Sequence, residues 1–350
     1  MKRFMPALFA ATMLAGLPAV AQDIGFTATQ PLVMPKDVYM GEAAGVATNS
    51  KGNVFLFQRS GQPTVSLGGS RAFAHTGAQL LEFDASGKFV REIGKNMYGF
   101  LVPQSVRIDS KDNIWAVDNY SGMIMKFDPT GARIEMLMGR KPESIDVPEG
   151  PARAPRGNAL PGAGAQQDLF TALADVAWDA QGNIFVADGV GNSARVAKFS
   201  PDGVFVKSFG SKGADNDKFA GPTSIQVDSA GNVYVADPGN HRIQVLDNNL
   251  GYKSTITGVG DPSALCISPG AHQYLYASNS NPVNNLDKGG EIYKLELSGS
   301  VVGKFGHAGK KSGDFGTVNE IDCRNPNQLL TGEIGNYRVQ KVSLRTAPPS

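Results

Sequence analysis

The sequence predicts an all-β fold: a six-bladed β-propeller whose ring is closed by an N-terminal strand. Three observations carry that expectation. The composition is rich in turn formers, one phrase recurs six times, and the last copy is a strand short. Of 350 residues, 42 are Gly and 21 Pro, spread without a collagen period, which points to many tight turns rather than long helices. With 41% apolar and 19% charged side chains the chain is too hydrophobic to be disordered. A formal net charge of +1 and no basic run exclude the clustered positive surface of a nucleic-acid binder, so no such partner is expected.

From the N-terminus, Lys2 and Arg3 precede an apolar stretch from Phe4 to Val20, and Ala19-Val20-Ala21 offers the small residues of a signal-peptidase site. The expectation is a signal peptide over 1–21, a single propeller domain over 22–350, and a periplasmic or extracellular protein. The apolar run is broken by Pro6, Gly16 and Pro18, and no membrane span is expected after cleavage.

The repeated phrase is an alternating strand, a turn of the form Asp-x-x-Gly-Asn, and a second strand ending in Ala-Asp, followed by Gly-Asn-x-Arg. Its clearest copies begin at Ser224 (SIQVDSAGNVYVADPGNHRIQVL) and Asp175 (DVAWDAQGNIFVADGVGNSARVAKF). Further copies begin at Val106 and Gly45, with degenerate ones at Ala264 and Asn319. Each contains four period-2 runs in about 40 residues, the size of one propeller blade. Gly52, Asp112, Gly182 and Gly231 stand at the first turn of four copies, where positive φ is expected. The sixth copy stops after three strands, near Leu344, so its fourth is expected from Asp23 to Met34, which removes an open sheet edge.

Naming the strands a to d from the axis outward, the b to c loops and the d to a connections must share one face. The three long insertions, 60–77, 140–172 and 279–290, all fall there, which makes that mouth the expected binding face. Cys266 and Cys323 lie in strand a of consecutive copies. A disulfide across the seam and two buried thiols are both open readings.

The phrase Gly-Asn-x-Tyr/Phe-Val-Ala-Asp with Gly-Asn-x-Arg resembles the NHL repeat. The order of copies from GVATNSKGNVFLFQRS to GPTSIQVDSAGNVYVADPGNHRIQ is similar to the peptidyl-α-hydroxyglycine amidating lyase family. That resemblance implies a zinc ion, a tyrosinate base and arginines. The family's zinc histidines fall on Gln104, Thr223 and Asn319, its tyrosine on Val190, and its second arginine on Pro238; Arg59 alone retains the first. Zinc is therefore not expected, because neutral amides and hydroxyls are poor zinc ligands. The resemblance also implies a structural calcium on the carbonyls of Val46 and Val106 and the carboxylate of Glu320, in place of the family's aspartate. A hydrogen-bonded or solvated Glu320 is the alternative.

The expected function is a secreted module binding a small molecule or peptide at the loop-bearing mouth through Arg59, Gln104, Tyr120, Thr223 and Asn319. Arg59 is suited to a carboxylate, the alternative being an ion pair with a residue such as Asp118. A divergent lyase-like enzyme with Arg59 as its catalytic anion clamp, and a protein-interaction scaffold, are the rivals. The recurrence of Asp118, Asp188 and Asp237 in strand b, and of Arg195, Arg242 and Arg338 in strand c, favours a scaffolding role for those residues. The four histidines occupy non-equivalent places, of which only His75 lies on the binding face.

Overall fold

The computed structural model describes residues 22–60, 65–67, 71–73, 77–139, 170–189, 194–282 and 285–345. The leader, His75, Val190 and most of the first two long insertions lie outside them. Six four-stranded antiparallel sheets stand around an axis. Their inner strands are Glu42–Thr48, Pro103–Ile108, Leu173–Trp178, Ser224–Val227, Pro262–Ile267 and Val318–Asn325, each beside the next, with the sixth adjoining the first.

Each blade follows from local chemistry repeated. In the first turn, the Asp179 Oδ1 accepts from the backbone N–H groups of Gln181 and Asn183, while its Oδ2 accepts from the Asn183 amide. Asp109 and Asp228 repeat that pattern. The chain then reverses through positive φ at Gly52, Asp112, Gly182 and Gly231, between 63° and 85°, as these turns require.

Alternation puts apolar side chains on both faces of every blade, and the neighbouring blades cover them. The resulting core is six clusters among the described residues, one per seam. Phe57 meets Phe100 at 4.7 Å between blades 1 and 2, and Trp115 stacks on Trp178 at 5.3 Å between blades 2 and 3. Such ring pairs add to the burial of their area.

Closure occurs as the sequence predicts. Phe26–Thr29 pairs antiparallel with Arg338–Leu344, in the register Phe26 to Leu344 through Thr29 to Lys341. The same segment bridges Asp23 to Lys304 of blade 5 and Val33 to Lys88 of blade 1. One extended stretch therefore ties three blades and supplies blade 6 with its outer strand. Cys266 and Cys323 form a disulfide with a Cα separation of 5.9 Å, linking the inner strands of blades 5 and 6. No described helix is long and apolar enough to cross a membrane.

Candidate functional site at the rim and axis

The end of strand b carries a side-chain acceptor in all six blades. Asp118 accepts from the N–H groups of Leu101, Val102 and Ser121 at 2.7 to 2.8 Å. Asp188 accepts from Thr171 and Ala172, Asp237 from Ala220, Asn279 from Asp261 and Glu333 from Gly316. Each fastens the connection that feeds its own inner strand. Three are also paired across the strands, Arg195 to Asp188 at 3.2 Å, Arg242 to Asp237 at 2.9 Å and Arg338 to Glu333 at 2.9 Å. This is the scaffolding role that recurrence suggests.

Blade 1 follows the rule with Gln58, whose Oε1 accepts from the Gly41 N–H at 3.0 Å, and Arg59 stands one residue later, where the other blades carry Asn119, Gly189, Pro238, Ser280 and Ile334. The Arg59 Nε donates to the Glu42 carboxylate and its Nη1 to the Pro103 carbonyl at 3.1 Å. The pairing partner is thus Glu42 of its own blade, not Asp118 of the next. Arg59 is 22% exposed and joins the rims of blades 1 and 2 on the loop-bearing face.

The other expected site residues divide. The Asn319 amide donates to the carbonyls of Ala44 at 2.6 Å and Gln104 at 2.8 Å, so Asn319 and the Gln104 backbone meet at the head of the inner strands. The Thr223 hydroxyl instead donates to the Ser263 carbonyl at 2.8 Å. Tyr120 stands out at the surface, 47% exposed. Donors already committed to carbonyls do not fit zinc, which takes imidazole, thiolate or carboxylate. The three described histidines are exposed and paired with carboxylates, His241 with Asp261, His272 with Glu296 and His307 with Asp314.

Deeper on the axis lies a cluster of which sequence reasoning named Glu320 but missed Arg107 and Asp175. Arg107, from strand a of blade 2, reaches Asp175 of blade 3 with Nε at 2.9 Å and Nη2 at 2.5 Å. Its Nη1 lies 2.7 Å from the Glu320 Oε1 of blade 6. The second Glu320 oxygen accepts from the Val106 N–H at 3.1 Å. Asp175 also accepts from the Ser224 hydroxyl and the Ile225 N–H of blade 4. Burial works against the Arg107 charge, but Asp175 and Glu320 outweigh it and raise its pKa further. Burial pushes the Glu320 carboxyl well up, against the pull of Arg107.

Calcium does not fit this arrangement. Val106 turns an N–H, not a carbonyl, toward Glu320, and the carboxylate already faces a guanidinium. A divalent ion on the same carboxylate would stand about 5 Å from Arg107, where repulsion is on the order of 6 kcal/mol at an effective dielectric of 20. Among the described residues no group of three His, Cys, Asp or Glu could hold a metal ion.

Below this cluster, at the mouth formed by the a to b turns, opens a cavity of about 390 Å³. Arg107, Ile108, Trp178, Ile267, Arg324 and the Cys266–Cys323 bridge help line it. It lies opposite the face where the long insertions emerge.

Comparison with known proteins agrees with this architecture. The NHL repeat family profile matches residues 219–246. The rat peptidylglycine alpha-amidating monooxygenase is 28% identical over 183 residues, 49% of this chain and 16% of that protein. A probable peptidyl-alpha-hydroxyglycine alpha-amidating lyase of Caenorhabditis elegans is 28% identical over 171 residues, 47% of this chain and 43% of the relative. The chain thus spans less than half the length of these relatives. The virginiamycin B lyase of Staphylococcus aureus superposes with a TM-score of 0.55 at 12% identity, covering 92% of this chain and all of that one, a likeness of fold alone.

Proposed function

Starting from an NHL-repeat six-bladed propeller distantly related to the amidating lyases, we propose a ligand-binding module that takes a small molecule or peptide bearing a carboxylate at its loop-bearing mouth. Arg59 carries this reading, because it places a guanidinium where the other blades carry the uncharged Asn119, Gly189, Pro238, Ser280 and Ile334. A charge carried by one blade alone is what a specific site needs and a scaffold does not. Gln104, Tyr120, Thr223 and Asn319 belong to the same mouth. Glu42 orients the guanidinium and competes with any incoming anion, so it sets the affinity.

The amidating names of the relatives favour one second reading, cleavage of a peptidyl-α-hydroxyglycine to the peptide amide and glyoxylate. Against it stand the residues at the heads of the inner strands, Gln104, Thr223 and Asn319, which are not zinc ligands. An exported protein, periplasmic or extracellular, is supported by the leader and by the disulfide, a bond that persists in oxidising compartments.

The test is calorimetric titration with an N-acyl-glycine peptide, which keeps the carboxylate and cannot be cleaved. Binding should fall at least tenfold in Arg59→Ala and strengthen in Glu42→Gln, which removes the competing charge. Equal affinity in the wild type and both variants would refute the role of Arg59. Release of glyoxylate from a peptidyl-α-hydroxyglycine would establish the lyase reading instead.

A further inference from the structure

We propose that the Arg107 guanidinium is the resident axial cation of this propeller, doing with a side chain what a bound divalent ion would do between the inner strands. The argument is one of charge and geometry. Asp175 and Glu320 are almost wholly buried, on blades 3 and 6, and two carboxylates this deep demand a counter-charge.

Arg107 supplies it from blade 2. Its planar fork hydrogen-bonds Asp175 with two nitrogens at 2.9 and 2.5 Å, and the remaining one stands 2.7 Å from the Glu320 Oε1 as an ion-pair contact without a hydrogen bond. It also reaches the Ser224 hydroxyl of blade 4 at 3.3 Å and the Ile321 carbonyl of blade 6 at 3.4 Å. Four blades are thereby joined through one cation. A guanidinium suits this place because it stays charged when buried and offers five donors in a fixed plane.

The repeat shows that the arrangement is particular rather than inherited blade by blade. At the position of Arg107 blades 1, 3, 4 and 5 carry Ala47, Ala177, Gln226 and Cys266, while at that of Asp175 and Glu320 blades 1, 2, 4 and 5 carry Gly45, Ser105, Ser224 and Ala264. Blade 6 carries Asp322 at the Arg107 position, so the departures are one arginine and the carboxylates of Asp175, Glu320 and Asp322, and Arg107 pairs with the first two. The wild-type fold is consequently complete without a divalent ion, and removal of Arg107 leaves a carboxylate pair that an external cation can serve.

The experiment compares metal content and thermal unfolding of the purified, exported form of the chain in EDTA and in graded calcium chloride. The wild type should carry no stoichiometric calcium and melt at the same temperature in both media. Arg107→Ala should melt lower in EDTA and recover progressively as calcium rises, as expected of a ligand bound only by the folded state. Arg107→Lys, which keeps the charge, should stay insensitive to calcium, and adding Asp175→Asn to Arg107→Ala should abolish the response. Stoichiometric calcium in the wild type together with a lower melting temperature in EDTA would overturn the proposal. So would a folded Arg107→Ala indifferent to calcium. If Arg107→Ala folds in neither medium, the wild-type metal content and chelator response decide. The outcome is independent of what binds at the loop-bearing mouth.

Discussion

At Gly45 an added Cβ would stand 2.5 Å from the Val106 nitrogen and 2.8 Å from the Ser105 carbonyl carbon. The inner strands of blades 1 and 2 approach this closely only because position 45 has no side chain. Both obstacles are backbone, so they cannot turn aside, and Gly45→Ala should cost about 1–3 kcal/mol, read as a lower urea midpoint. An unchanged midpoint would mean that the two strands do not meet as described. Asp118 gives a second residue-level expectation. Burial raises its carboxyl above the ordinary value, against three backbone donors. The folded chain then holds more protons than the unfolded one between the two pKa values. Stability should therefore decline from this source as pH climbs from about 4 through the raised value, and Asp118→Asn should remove that slope in denaturant titrations across pH. The same residues show what sequence makes legible. The Asp-x-x-Gly-Asn turns and the arginine pairs could be read because repetition announces them. Glu320 was singled out near the axis, but its partners Arg107 and Asp175 could not be read, since each occurs in a different copy and the contact runs across the axis, where no local period reaches. The Glu42 partner of Arg59 escaped for a similar reason, standing just ahead of the repeated phrase.

Within a blade, the strand c arginine does two jobs. Arg242 neutralises Asp237 and also donates to the carbonyls of Ala214, Asp215 and Lys218, pinning the connection into its own blade. Arg338 repeats this with Glu333 and the carbonyls of Lys310 and Asp314. Arg242→Met or Arg338→Met would leave a buried carboxylate unpaired, a loss of about 3–5 kcal/mol, measured by chemical denaturation. Near-neutral variants would show that the pairs are decorative. The disulfide acts between blades, closing a separation of 57 residues. Restriction of the unfolded chain by a loop of that length contributes about 4 kcal/mol in the chain-entropy account. The double variant Cys266→Ala/Cys323→Ala should lose an amount of that order in its denaturation midpoint.

For the molecule as a whole, a ring of sheets turns a linear repeat into a convergent structure. The fold was legible because each blade announces itself and the sixth lacks a strand, which identifies the N-terminal stretch as its completion. The candidate site was legible only at its rim, where Arg59 sets a charge just beyond the end of the repeated strand b. Everything at the rim and axis depends on closure, because Asn319 meets Ala44 and Gln104, and Glu320 meets Arg107, only when the last blade returns to the first two. Hydrogen–deuterium exchange tests this most directly, comparing the chain beginning at Gln22 with one beginning at Pro31. The shortened chain should lose protection first across Arg338–Leu344, whose outer partner is gone, while blades 2 to 4 keep theirs. Equal protection of Arg338–Leu344 in both chains would contradict closure by the N-terminal strand.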